Sequence, residues 1–240
     1  MSKSLLFILA FACASLILSA QNFEAGLTLG LSSYNGDIDI NARNFGSSLK
    51  PGIGILGKYR LSNSWLLRGQ FLSSKLSASE KNHPDAWRQE RGFAFESTLR
   101  ELTVTAEYEF LQKGRWTAYA FGGVGVAFFN PKTDYNTPNP FITTDINADA
   151  NTNFKKITPA IPLGLGVKYQ LPWWDLNLAL ESGYRKVFTD YLDGVSKLAN
   201  PDSKDTYFFT GLTLTKAFGG GKNAANRNFR NGSSSCPKLD

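Results

Sequence analysis

The one histidine of the 240-residue chain, His83, lies in the stretch HNPDAW, with Ser77, Ser79 and Asp85 close by in sequence. Serine, histidine and an acid are the ingredients of nucleophilic acyl transfer: the imidazole takes the hydroxyl proton and a carboxylate orients the ring. That chemistry needs a base held within hydrogen-bond reach of its nucleophile, and no spacing here fixes one. His83 therefore reads as a solvated loop histidine, and no catalytic residue is expected. The two cysteines, Cys13 and Cys236, stand far apart, and the chain has no CxxC, no clustered metal ligands and no Gly-rich phosphate loop. No metal, no cofactor and no small-molecule substrate are expected.

The remaining chemistry lies in charges at alternate positions. Lys58, Arg60, Arg68, Glu101, Glu107, Glu109, Lys168, Glu181 and Arg185 each fall on the polar set of a stretch with a period of two. Around Leu176 to Ser196, Leu176, Leu178, Leu180 and Tyr184 alternate with Asn177, Ala179, Glu181, Gly183 and Arg185. In a soluble sandwich the oily set would face the core. In a membrane barrel it faces lipid, and the charged set faces the lumen.

The same alternation recurs along the chain. Phe23, Ala25, Leu27, Leu29 and Leu31 oppose Glu24, Gly26, Thr28, Gly30 and Ser32; Leu102, Val104, Ala106, Tyr108 and Phe110 oppose Glu101, Thr103, Thr105, Glu107 and Glu109. Trp116 to Phe129 is apolar on both sets, a strand whose faces the sequence leaves unassigned. In all, about eight strands of roughly ten residues are expected, the length that crosses a bilayer at a tilt. Tight turns at Leu61 to Trp65, Phe110 to Trp116 and Leu171 to Leu176 alternate with long polar links at Asn35 to Lys50, Ser73 to Gly92, Asn130 to Lys156 and Thr189 to Asp205. Aromatics follow the same division. Tyr59, Trp65, Trp116, Tyr169, Trp173, Trp174 and Phe218 fall at the short-turn ends, and Tyr34, Phe128, Phe129, Tyr184, Phe188 and Tyr207 near the long links, as two interfacial belts would require. The expected fold is all-β: an eight-stranded antiparallel up-and-down transmembrane barrel with long external loops and short periplasmic turns. A barrel of this size is filled by its own side chains. The nine charges are thus expected to form a paired plug rather than a conducting path.

The ends fix the compartment. Residues 1–20 carry Lys3, an apolar run from Leu5 to Leu18 and the small pair Ser19-Ala20, the pattern of a signal peptide cleaved after Ala20. A retained anchor would want a basic flank, and Ala10-Phe11-Ala12 before Cys13 is a poor lipoprotein match. Loss of Lys3 takes the formal charge from +6 to +5 and leaves Cys236 as the one thiol, so no internal disulfide is expected. The cations are spread over lumen, rims and tail, which argues against nucleic acid, and Lys186 near the outer rim is placed to meet lipid phosphates. The barrel is expected to span residues 21–218. The Gly/Asn/Ser-rich basic stretch 219–240 would form a flexible periplasmic tail, with Arg227, Arg230, Cys236 and Lys238 as candidate partner-binding residues.

The segment GYRKVFTDYLDGVS, preceded by ITPAIPLGLGVKYQL and YAFGGVGVAFFNPK, resembles the outer-membrane barrel family of Bacteroidota that includes PorG of the type IX (Por) secretion system. KPGIGILGKYRL and RGFAFESTLRELTVTAEYEF fit the same family. The most specific part covers Gly183, Tyr184, Arg185, Lys186, Phe188, Thr189, Asp190, Tyr191, Leu192 and Asp193, of which Arg185, Asp190, Tyr191 and Asp193 are placed to lock the seventh strand to the link after it. The resemblance implies a non-enzymatic subunit of a gliding-associated protein secretion machine. Its partners would be outer-membrane lipid, a periplasmic ring lipoprotein and other type IX subunits. The alternative is a small adhesin or envelope-stabilising barrel acting through its external loops. A lipid-modifying barrel enzyme is a third reading, tied to His83.

Overall fold

The computed structural model describes residues 22–35, 48–80, 89, 92–134, 154–172, 174–189, 191–194 and 205–218. Eight strands run in chain order: β1 Phe23–Asn35, β2 Lys50–Arg60, β3 Trp65–Ser79, β4 Ala94–Lys113, β5 Trp116–Asp134, β6 Ile157–Gln170, β7 Leu176–Val187 and β8 Thr206–Phe218. Each pairs antiparallel with its neighbours, and β1 pairs with β8 from Phe23↔Phe218 to Asn35↔Thr206, so the sheet closes into a barrel with no open seam. Closure satisfies every ladder across lipid, which is what lets strands cross a bilayer. No helix among the described residues is long and apolar enough to do so.

Alternation sets which side chains meet lipid. Leu102, Val104, Tyr108 and Phe110 of β4 point outward and are exposed, while Glu101, Thr103, Thr105, Glu107 and Glu109 between them are buried. Leu27, Leu29, Leu31, Ile53, Ile55, Leu163, Leu165, Leu212 and Leu214 continue the outer band around the barrel. In water an apolar surface of this extent would drive association. Wrapped around a closed barrel with a polar lumen, it is the lipid-facing exterior of an outer-membrane protein. At the short-turn end the belt is outward as expected: Trp65 packs on Tyr108 and Trp116 on Tyr169, each with ring centroids 4.7 Å apart, and Phe23 lies 6.1 Å from Phe218 across the closing seam. Trp173 lies outside the described residues.

The turns at this end are short. Lys113 pairs with Trp116 across Gly114-Arg115, with Gly114 at φ 61°, so β4 runs three residues past the expected Phe110 and absorbs the extra length as a bulge between Glu109 and Leu111. Trp174 and Asp175 turn β6 into β7 at φ 61° and 52°.

The long-loop end departs from expectation. β4 has 20 residues and β5 has 19, well beyond roughly ten, and β3 continues to Ser79. Ser73 to Ser79 and Asn130 to Asp134, expected in links, are strand. β3, β4 and β5 thus rise past the lipid band as a three-stranded wall. This changes the outer belt. Phe128 and Phe188 are exposed and Tyr184 packs edge-on against Phe208, but Tyr34, Phe129 and Tyr207 turn inward and are buried. Above the bilayer the inward face meets the links rather than a lumen, so aromatics there form a core instead of a girdle.

Candidate functional site

The lumen is filled in tiers. Nearest the short turns, the Arg60 guanidinium forks onto Glu109 at 3.1 and 3.2 Å and lies 3.5 Å from Glu24; Lys168 donates to Glu109 and sits 3.7 Å from Glu107. In the middle, Lys58 donates to Glu107 at 2.7 Å, and Arg68 holds both oxygens of Glu181 at 2.8 Å while reaching Gln70 at 2.9 Å. The Tyr119 hydroxyl donates to the same Glu181 at 2.6 Å. Higher up, Arg185 donates to Glu101 at 3.3 Å, and the Tyr207 hydroxyl donates to the other oxygen of the same carboxylate.

All nine charges expected inside are therefore inside, and each is paired. The tenth member, Glu24, is the one the sequence reading left out. Lys58, Arg60, Arg68, Lys168 and Arg185 are five cations, and Glu101, Glu107, Glu109, Glu181 and Glu24 are five acids, so the network is neutral. The polar set of β1 contained Glu24 in the right parity. Two phenols complete the network, and aromatic faces cover the cations: Arg68 lies 5.3 Å from the Phe121 ring centroid, Lys58 5.2 Å from Tyr119 and Arg185 5.2 Å from Phe209. The rings need room. A Cβ at Gly166 would lie 2.4 Å from the Tyr119 ring, so the glycine on β6 is what lets the ring lie across the lumen.

Above the charges sits an apolar cap. Tyr34, Leu76, Phe93, Phe95, Leu99, Phe129 and Tyr207 pack inward with Leu192 of the β7–β8 link. Phe129, Phe154 and Tyr191 stack nearly parallel, at 6.2 and 4.7 Å, and so join β5, the β5–β6 link and the β7–β8 link. The Tyr34 hydroxyl bonds Asp205 at 2.6 Å and Asp193 at 3.1 Å, and Asp205 accepts from the Leu192 backbone N–H at 3.0 Å. Gly194, at φ 90°, turns the link back onto β5, where a Cβ would meet Thr133 at 2.9 Å.

The segment from Gly183 to Asp193 thus divides. Tyr191, Leu192 and Asp193 do fasten the link to the barrel end. Arg185 does not: it lies on the inward face of β7, reaches Glu101 and the Gly183 carbonyl, and belongs to the charge network. Lys186 is outward and exposed, Thr189 accepts from Tyr191 N–H at 3.2 Å, and Asp190 lies outside the described residues. So do residues 1–20, His83, Asp85, and the tail with Arg227, Arg230, Cys236 and Lys238. Ser77 and Ser79 lie on the outward side of β3. Among the described residues no group of three or more His, Cys, Asp or Glu is arranged to hold a metal ion.

Solved barrels resemble this one at low identity. Neisserial surface protein A is 10% identical, with a TM-score of 0.49 over 82% of this chain and 97% of its own. Ail, the attachment invasion locus protein of Yersinia pestis, in complex with the heparin analogue sucrose octasulfate, is 11% identical, with a TM-score of 0.40 over 82% and 99%. A major outer membrane protein from Thermus thermophilus is 12% identical, with a TM-score of 0.43 over 81% and 98%. No curated protein matches the sequence. The match that spans the barrel is to a family model described as a domain of unknown function, DUF6089, over residues 3–225, and the chain belongs to that family.

Proposed function

We propose that this chain is a non-conducting, non-enzymatic outer-membrane scaffold that works through its long-loop end, as an envelope-stabilising or adhesive barrel. One observation carries the reading: the lumen is closed by a neutral network of buried ion pairs, and above it Phe154 and Tyr191 to Asp193 pack onto an apolar cap. A path for solutes would need a lumen free of such a plug. Side chains instead fill the lumen and the described part of the long-loop end, and a preorganised end is what a docking surface requires. In this reading the long-loop end faces outward and the short turns face the periplasm.

A second reading has its own support. The segment that carries the resemblance to the type IX barrel family, Gly183 to Asp193, contributes both to the charge network and to the cap. In that reading the barrel is a subunit of a type IX secretion machine, and the tail 219–240, on the periplasmic side, docks a periplasmic ring lipoprotein.

One experiment separates the two. A photoreactive residue replaces exposed Lys132 at the long-loop end, and in a parallel strain the chain is truncated after Phe218. Crosslinking in cells should trap an outer-membrane or extracellular partner at Lys132, unaffected by truncation. A periplasmic lipoprotein that copurifies with the intact chain and is lost on truncation would replace the first reading with the second.

A further inference from the structure

The outward face of β3, β4 and β5 changes character over a few residues. The row Phe71–Leu102–Val126 is apolar and lipid-facing. The next rows toward the long-loop end are Ser73–Arg100–Phe128, Lys75–Thr98–Asn130 and Ser77–Glu96–Lys132. Arg100, Lys75 and Lys132 are exposed, and Lys75 donates to Glu96 at 2.8 Å across the strand pair. Lys50 and Lys132 also bear on the Glu96 carboxylate. Adjacent strands lie about 4.8 Å apart and successive same-face residues about 7 Å apart, so Lys75 stands about 8 Å from Arg100 and about 12 Å from Lys132, a spread that a headgroup with two phosphates spans.

Above them the wall forms an open groove of about 490 Å³, lined among others by Lys50, Ser77, Ser79, Glu96, Lys132 and Asp134. Its volume is that of a small-ligand site, and its lining mixes ammonium groups with hydroxyls and carboxylates. Ammonium and guanidinium groups match phosphate, while hydroxyl and carboxylate groups match sugar hydroxyls.

We propose that this face binds a phosphorylated glycolipid of the leaflet at the long-loop end: phosphate on Arg100, Lys75 and Lys132, sugar in the groove, and acyl chains on Phe71, Leu102 and Val126. Continuity selects the occupant. The groove's lowest row, Ser77–Glu96–Lys132, is joined to the lipid row Phe71–Leu102–Val126 by the two rows that hold Lys75 and Arg100, so one outer face runs from groove through cations to lipid band, and Gly69, two residues below Phe71 on the same face, leaves open space where an acyl chain can lie. A soluble polyanion would use the cations but not the apolar row beneath them. Placing the site in the outer leaflet rests on the orientation proposed above, whereas binding itself does not.

The test uses the full chain purified in detergent, with native mass spectrometry reading lipid occupancy. The probes are bisphosphorylated lipid A and the same lipid with its phosphates removed. The triple variant Lys75→Gln/Arg100→Gln/Lys132→Gln should lose bisphosphorylated lipid A by at least about tenfold, since each cation near a lipid surface contributes up to several-fold. Neutralising Lys113 and Lys216 at the short-turn end should change nothing. Folding of each variant is checked by heat-dependent gel migration, and Lys75→Arg/Arg100→Lys/Lys132→Arg, which keeps the charges, should retain binding. Equal occupancy in wild type and triple variant would overturn the proposal. Equal binding of the phosphate-free lipid would do the same, as would displacement by soluble heparin with no dependence on acyl chains. Orientation is read separately, by labelling a cysteine placed at Lys132 on intact cells, so failure of the outward reading leaves the binding result standing.

Discussion

Replacing Glu181 with alanine is expected to lower the free energy of unfolding by about 3–5 kcal/mol, the usual result of leaving a buried charge without its partner. Glu181 accepts both arms of the Arg68 fork, takes the Tyr119 hydroxyl and lies 4.0 Å from Lys58. Without it Arg68 keeps only Gln70 and the Phe121 face, while Lys58 retains Glu107. Urea unfolding in lipid vesicles, followed by tryptophan fluorescence, measures the change. Two further variants test the cause. Glu181→Gln keeps an acceptor and should fall between wild type and alanine. Arg68→Met with Glu181→Leu removes both charges and should recover most of the loss, because apolar groups of similar size spare the cost of burying ions. A loss below about 1 kcal/mol in Glu181→Ala would mean that the network is wet enough for water to replace the carboxylate.

Phe129→Ala is expected to cost a comparable amount, about 3–5 kcal/mol, by removing a buried ring and leaving a cavity. Its location makes the outcome different in kind. Phe129 anchors the stack through Phe154 to Tyr191, so its loss should free Phe154 and the segment at Tyr191 while the ion-paired lumen below stays closed. Limited proteolysis should therefore cut the variant near Phe154 or Tyr191 faster than it cuts wild type at those sites, and the barrel should keep its heat-dependent migration on gels. Cleavage rates equal to wild type would show that the cap does not hold the links.

Much of this was legible in the chain. β4 carries a lipid face and a polar face without exception from Glu101 to Phe110, so both the strand and the direction of Glu107 and Glu109 follow from parity alone. β5 was illegible for a physical reason. Its outward residues Val124, Val126 and Phe128 meet lipid, and its inward residues are also aromatic: Tyr119 and Phe121 fill the space that Gly166 and Gly164 on β6 leave, and Phe129 packs in the cap. When both solvents are oily, composition carries no face. The wall above the bilayer was hidden by the opposite effect. SSKLSAS reads as a polar loop, yet Ser74, Leu76 and Ala78 point inward and Ser73, Lys75, Ser77 and Ser79 outward. There the outer face meets water, so strand and loop share a composition. Parity still held the answer for Tyr207, which shares the set of Thr213 and Thr215 and turns inward with them. Closeness to a long link suggested an interfacial belt instead. Arg185 was expected both in the lumen and as a lock on the link: alternation with Lys186 rightly sent it to the lumen, and only nearness in sequence drew it toward the link.

The sealed lumen is the claim on which the scaffold reading depends, and single-channel recording in planar lipid bilayers addresses it most directly. With full-length protein inserted and insertion verified by protease protection, no stepwise current is expected in 1 M KCl across the physiological voltage range. Long-lived, reproducible conductance steps from the wild-type protein would contradict it, because the paired charges from Glu24 to Glu101 would then be a gate rather than a plug.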